Sequence, residues 1–213
     1  DYLEQLTYLI FLKMSDEYSK PPYKKNTGIP EGYTWSDMNT LKGAELEDQY
    51  KKTLEELAKQ DKDLSEYDIK SIHNLVLADR PEDRGSFRRV NVRIAGALTN
   101  PVQPYLIEPK IEEVLNNYKV WSETMHIVER VANFHLQFES IHPFIDGNGR
   151  TGRLIMNLQL IKEGLPAINI KFADRKKYYD AFDEYSKTGS SDAMIKLVGE
   201  AVISRLREMI EMI

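Results

Sequence analysis

The sequence predicts a mainly helical fold: a small helical segment, then a larger helical bundle that carries one short β-hairpin. Three observations carry this. Apolar residues recur at three- and four-residue spacing over most of the chain. Short joints rich in Gly, Pro, Asp and Asn separate the periodic stretches. A single stretch, residues 87–94, alternates at strand spacing instead, with Val90, Val92 and Ile94 on one face.

Each element follows in order. Leu3, Leu6, Ile10 and Met14 share one face of a first helix. Residues 19–34 hold Pro21, Pro22, Gly28, Pro30 and Gly32 and read as a loop. Residues 41–59 predict a second, charged helix, and the polar joint at Asp61, Lys62 and Asp63 divides the chain into segments 1–60 and 61–213. Ser65 predicts an N-cap, because its hydroxyl can accept from an otherwise unpaired N–H of a helix reaching Leu77. After the strand, Gly96, Asn100 and Pro101 predict a turn, and residues 104–107 the returning arm of the hairpin. Helices are expected over residues 111–118, 121–138, 150–163, 174–187 and 192–213, the third closed by Gly164 and Pro166.

Composition removes several function classes. The 213 residues include no Cys, so disulfides, thiolate metal sites and thiol nucleophiles are excluded. Four histidines, His73, His126, His135 and His142, are the candidates for imidazole chemistry, and none is paired at metal-ligand spacing. A net charge of -5 over the chain argues against wrapping duplex DNA by bulk electrostatics, and nucleic acid is not expected as the partner of the larger domain. The longest apolar run, near Leu6 to Leu12, is too short to span a membrane, and no secretory signal pattern is visible, so a cytoplasmic protein is expected.

The chemistry concentrates in His142-Pro143-Phe144-Ile145-Asp146-Gly147-Asn148-Gly149-Arg150-Thr151-Gly152-Arg153. The segment follows one amphipathic helix and opens another. A helix N-terminus presents unpaired N–H groups and a positive dipole end, which together bind anions. Gly147 and Gly149 permit a tight turn and close approach of a ligand. Arg150 and Arg153, three apart, face the same polyanion. Asp146 beside them suits a divalent cation shared with phosphate oxygens. His142 stands where an imidazole can accept the proton of an incoming hydroxyl. Phe144 is an apolar peg for the loop. These are the parts phosphoryl transfer requires. The segment is not a Walker loop, since it has no Gly-Lys-Ser/Thr and follows a helix.

The twelve residues 142–153 resemble, without departure, the signature of the Fic family, His-Pro-Phe-x-Asp/Glu-Gly-Asn-Gly-Arg-x-x-Arg. Weaker likenesses flank it: residues 69–77 to the family's early helix, residues 84–96 to the approach to its β-hairpin flap, and Tyr178-Tyr179-Asp180-Ala181-Phe182 to the helix after the motif. The resemblance covers residues 64–213. It implies a helical domain that transfers AMP from ATP to a Ser, Thr or Tyr hydroxyl of a protein and releases pyrophosphate. In that reading His142 is the general base. Asp146 holds Mg²⁺ on the phosphates. Gly147, Asn148 and Gly149 line the anion site, and Arg150 and Arg153 grip the distal phosphates. The flap, with Val90, Asn91, Val92, Arg93 and Ile94, takes the target as an added strand, an interaction of backbone with backbone that asks little of target sequence.

Residues 2–59 resemble a different family, the N-terminal helical segment of the modification subunit of type I restriction–modification systems. LEQLTYLIFLKMSDEYSKPPY, IPEGYTWSDM and GAELEDQYKKTLEELAKQ carry that likeness. Lys20-Pro21-Pro22-Tyr23 lacks the Asn of a methyltransferase motif, so the resemblance implies partner recognition, with a restriction–modification subunit as candidate partner, and not methylation.

Other residues have plainer readings. His135, on the packed helix with Phe134 and Phe138, reads as a hydrogen-bonded core residue, His73 as structural and His126 as exposed. Tyr178 is a candidate adenine-stacking residue, with core packing equally open. Ser204 and Glu208 have the spacing of the family's inhibitory helix, which makes Glu208 a candidate inhibitor, but Met209 stands where Gly or Asn is usual. The donor nucleotide, self-association, an idle domain within a restriction assembly, and a toxin held by a separate partner stay open at this point.

Overall fold

The structure, a computed structural model, describes residues 16, 19–21, 32–43, 45–46, 48–49, 52, 63–77, 80–94 and 100–211. The chain divides into two compact units, residues 1–62 and 63–213. The helix expected over residues 3–14, most of the proline-rich loop and the hairpin turn at residues 95–99 lie outside the described residues.

In the first unit the best-defined element is α1, Trp35–Met38. Its start is set by a capping box. The Thr34 hydroxyl accepts from the Asp37 N–H, and the Asp37 carboxylate accepts in return from the Thr34 N–H at 2.9 Å. Met38 is buried. Gly43, Glu45, Leu46, Asp48, Gln49 and Lys52 are helical, as the sequence predicts for residues 41–59.

The second unit holds six further α-helices among the described residues: α2 (Glu66–Val76), α3 (Ile107–Trp121), α4 (Ile127–Ile141), α5 (Asn148–Lys162), α6 (Arg175–Thr188) and α7 (Asp192–Ile210). Ser65 caps α2 as expected, in a reciprocal pair with Asp68. The central element is α4, which packs against α3, α5 and α7. It is buried on two sides. Ile127, Val131, Ala132 and Leu136 join Met156, Leu160, Met194 and Val198 in one cluster. Phe134, Phe138 and Ile141 join Ile69, Ile107, Ile111, Phe144 and Ile155 in the other. Burying each such side chain contributes about 1.5–3 kcal/mol, so α4 is held rigidly from both faces.

Two boundaries differ from the sequence expectation for identifiable reasons. The helix expected from Trp121 begins at Ile127, because α3 runs on to Trp121 and a turn at residues 122–125 intervenes before the His126 imidazole caps the Val128 N–H at 3.3 Å. Its far end extends to Ile141, where His142 stops it.

The β-hairpin needs correction. None of the described residues is in a strand. Val90, Asn91, Val92, Arg93 and Ile94 run as irregular backbone, with Asn91 and Arg93 exposed and Val92 and Ile94 half-buried. The expected returning arm is instead a 3₁₀ turn, Pro104–Leu106, leading into α3. Proline fits a first helical position, where no N–H is needed, better than a strand that must donate. Among the described residues no strand pairs with residues 90–94, and an unpaired strand has no ladder to make it regular.

Candidate active site

The site forms where α4 ends and α5 begins. His142 is the C-cap of α4, with φ 51° and ψ 61°, and its N–H donates to the Phe138 carbonyl at 2.9 Å. Helices often end on a left-handed residue, but usually a glycine. Among the described residues His142 is the one non-glycine with positive φ. The conformation costs on the order of 1 kcal/mol, and a side chain kept there at a cost points to use. Pro143 follows and bars α4 from continuing, since it has no N–H and disfavours helical backbone before it.

Three anchors hold the loop. Phe144 is fully buried and stacks on His73 with ring centroids 3.5 Å apart. His73 itself accepts from the Gly85 N–H at 2.9 Å through Nδ1 and contacts the Asp146 carbonyl at 3.0 Å through Nε2. Burial pushes its pKa down, which keeps the ring neutral in that role. The Asn148 side chain accepts from the Phe144 N–H and donates to the Phe144 carbonyl, both at 2.9 Å. Asn148 therefore staples the loop with its amide, and only its backbone N–H is left for an anion. Gly147 has φ 77°, and a Cβ there would stand 3.0 Å from Val76 Cγ1, so both conformation and space require glycine.

A fourth anchor, Arg88, was not legible in the sequence. It is 3% exposed. Its guanidinium donates to the His142 carbonyl at 2.8 Å, to Ile141, and to the carbonyls of Val90 and Val102 on either side of the flap segment. Its own N–H donates to the Pro143 carbonyl at 2.9 Å. One buried cation thus ties both ends of residues 90–102 to the backbone behind His142. Burial lowers its pKa from the ordinary arginine value. No local pattern announces such a residue, because every acceptor except Val90 is distant in sequence.

The candidate anion-binding residues lie together. The N–H groups of Asn148, Gly149 and Arg150 open α5 without acceptors one turn earlier. A Cβ on Gly149 would stand 3.1 Å from the Arg153 guanidinium, so Arg153 folds over this end of the helix. Arg150 donates to the Val76 carbonyl at 3.3 Å and lies 3.5 Å from Asp146. The Asp146 carboxylate is half exposed, accepts from the Gly147 N–H at 2.6 Å and also pairs with Arg80 at 3.1 Å. Arg80 is a second cation at this site that sequence reasoning did not single out.

Two candidates are corrected. Tyr178 does not offer its ring to a base: it is 8% exposed, and its hydroxyl meets His135 Nε2 at 2.6 Å in the core. Burial pushes the Tyr178 hydroxyl pKa up and that of His135 down to about 4. Tyr179, its neighbour, is exposed, with the Arg175 guanidinium 5.6 Å over its ring. Glu208 does not reach for Arg153: its carboxylate is taken by Arg205 at 3.2 Å and Lys171 at 3.5 Å. His135 is a core residue and His126 an exposed one, as the sequence predicts.

With this geometry in view, comparison with known proteins is decisive for the domain. Residues 63–160 match the Fic/DOC family. They are a Fic/DOC family domain. The chain is 38% identical over 98 residues to a probable protein adenylyltransferase of Aquifex aeolicus, covering 46% of this chain and 30% of that one. It is 39% identical over 119 residues to protein adenylyltransferase Fic of Drosophila melanogaster, covering 55% of this chain and 24% of the relative. The matched region thus spans less than a third of these curated relatives. Among solved structures, a Fic-domain signalling protein from Bacteroides thetaiotaomicron aligns with TM-score 0.60 at 21% identity, over 93% of this chain and 84% of that one. Fic-1 of C. elegans aligns with TM-score 0.63 at 22% identity, over 96% and 63%. BepC of Bartonella tribocorum, solved with bound AMPPNP, aligns with TM-score 0.55 at 16% identity, over 74% and 86%. The fold is the Fic fold.

Proposed function

We propose that this Fic domain transfers AMP from ATP to a hydroxyl of a target protein. The observation that carries the reading is His142, held in a left-handed conformation at the end of α4 and six residues before the start of α5 at Asn148. The adenylyltransferase names of the curated relatives support it.

The chemistry follows from the parts. The unpaired N–H groups of α5 receive phosphate oxygens, and Arg150 and Arg153 hold the charge of the β- and γ-phosphates. The target hydroxyl oxygen attacks the α-phosphorus. The bond from phosphorus to the bridging oxygen breaks, pyrophosphate leaves, and the hydroxyl proton passes to His142. Asp146 would hold Mg²⁺. A single half-exposed carboxylate beside an anion site fits a magnesium ion, which takes most of its shell from phosphate and water. Among the described residues no cluster of three ligating side chains forms a dedicated metal cage. When bound, the ion neutralises phosphate charge.

The target docks along Val90, Asn91, Val92, Arg93 and Ile94. Arg88 clamps the base of this segment to the His142 backbone, so a peptide paired there sits in fixed register with the base. Pairing supplies the missing strand. Residues 1–60 serve partner recognition, on the strength of their sequence likeness to restriction–modification subunits.

The test is incubation with labelled ATP, Mg²⁺ and candidate proteins. AMP on a Ser, Thr or Tyr, seen as added mass and absent with His142→Ala, is the expected result. Labelling from another donor with ATP inert would overturn the AMP assignment. Co-purification of the protein with a restriction specificity subunit, lost on deletion of residues 1–60, tests the partner.

A further inference from the structure

We infer that Glu139 is a positioning residue for the base: its carboxylate orients the His142 imidazole and stabilises the cation formed when that ring takes the target's proton. The inference rests on the transfer reaction proposed above. Glu139 lies three residues before His142, on the face of α4 that leads to the site. Its Oε2 is 3.6 Å from His142 Nδ1, with the two side chains 13% and 19% exposed. Neither Glu139 Oε1 nor His142 Nδ1 has a hydrogen-bond partner among the described residues. Two half-buried, complementary groups therefore face each other just beyond hydrogen-bond distance. Such a contact is commonly loose without substrate and tightens in the complex.

The rest of the surroundings favours this pairing. The packed elements bring His135 from α4, Gly152 and Arg153 from α5 and Tyr178 from α6. His135 is held neutral by burial with its Nε2 on Tyr178, and its unpaired Nδ1 lies on the Oε1 side of Glu139, which leaves Oε2 toward His142. Glu139 and Arg153 act in opposite directions on both His135 and Tyr178. Gly152 makes the arrangement possible, since a Cβ there would stand 3.1 Å from Glu139 Oε1 and 2.7 Å from His135 Nδ1.

The consequence is a defined tautomer. A carboxylate at Nδ1 selects the Nδ1–H form and leaves the Nε2 lone pair for the hydroxyl. After attack, the proton resides on Nε2 and the imidazolium points its Nδ1–H at the Glu139 carboxylate. This is the base-and-orienter arrangement seen in other acid–base sites.

Two measurements test it. Imidazole ¹⁵N shifts, with His142→Ala to assign the signal, should show His142 as the Nδ1–H form in the wild-type protein and shifted toward Nε2–H in Glu139→Gln. This readout needs no activity, so it stands even if the transferase reading fails. In the transfer assay Glu139→Gln should lower kcat by roughly 10- to 100-fold with KM for ATP nearly unchanged, and Glu139→Asp should recover part of the loss. An Nε2–H tautomer in the wild type would overturn the inference. So would a Glu139→Gln effect confined to KM for ATP, which would make the carboxylate a partner of Arg153 and the nucleotide instead.

Discussion

The middle of α4 and its C-terminal end carry the same chemical group in opposite conditions. His135 lies two turns before the end, fully buried, paired through Nε2 with Tyr178 and held neutral by burial. His142 caps the helix in a strained conformation, partly exposed, with Nδ1 facing a carboxylate and no hydrogen bond. One histidine is packed in the core with one ring nitrogen paired, and the other stands at the helix end. The difference teaches that backbone position, more than residue type, decides which imidazole can work. The interior of a rigid helix fixes a side chain by packing, whereas its end offers an exit from the core, a turn and the positive pole of the next helix.

The largest expected effect breaks the helix-end side. His142→Asn tolerates the left-handed backbone yet removes the base, so AMP transfer should fall by roughly 10²–10⁴-fold with the melting temperature nearly unchanged. A comparable activity in that variant would dissolve the contrast. Next comes the peg between the two regions. Phe144→Ala should destabilise the domain by about 3–5 kcal/mol, read by urea unfolding, because it empties the stack against His73 and the contact with Phe87.

The core side predicts a pH dependence. His135 has its pKa lowered from 6.5 to about 4 in the folded protein. Between those values the unfolded chain binds a proton that the native state does not, so stability rises with pH across this window. It is fully present above pH 6.5 and is lost as pH falls toward 4, by on the order of 3 kcal/mol. Unfolding measured from pH 7 to 4 should show this slope, and His135→Gln should flatten it, leaving the smaller part due to His73, whose pKa is also lowered. The smallest effect sharpens the boundary between the two. Gly152→Ala should cost about 1–3 kcal/mol through contact with His135 and Glu139, with a loss of activity that exceeds the loss of folded protein if Glu139 is displaced.

Legibility followed the same division. The residues from His142 to Arg153 are contiguous, and a loop that must turn and open a helix writes its requirements in consecutive letters. Asn148 was legible as part of the motif, but its amide is used on Phe144 four residues earlier, a choice made by loop closure. Glu139 could have been noticed as a carboxylate three residues before a histidine on a helix, a spacing that places them on one face. Tyr178 could not be assigned, because an aromatic at helical spacing suits either a core or a base, and only the approach of α6 to His135 chose the core. Arg88 had no signal at all: a buried cation surrounded by carbonyls 53 and 54 residues away is visible only once the chain has folded.

By itself, then, the sequence determined the helical class, most helix limits in the second unit and the chemical inventory of the loop, because those depend on periodicity, capping and turn chemistry within a few residues. The tertiary structure decided which groups are spent on architecture: Asn148, His73 and Arg88 on holding the loop, Tyr178 and His135 on the core; it left His142 Nδ1 and the first N–H groups of α5 without partners. Hydrogen bonds are shared out between elements distant in sequence, and the burial that makes an unpaired group costly exists only after those elements pack.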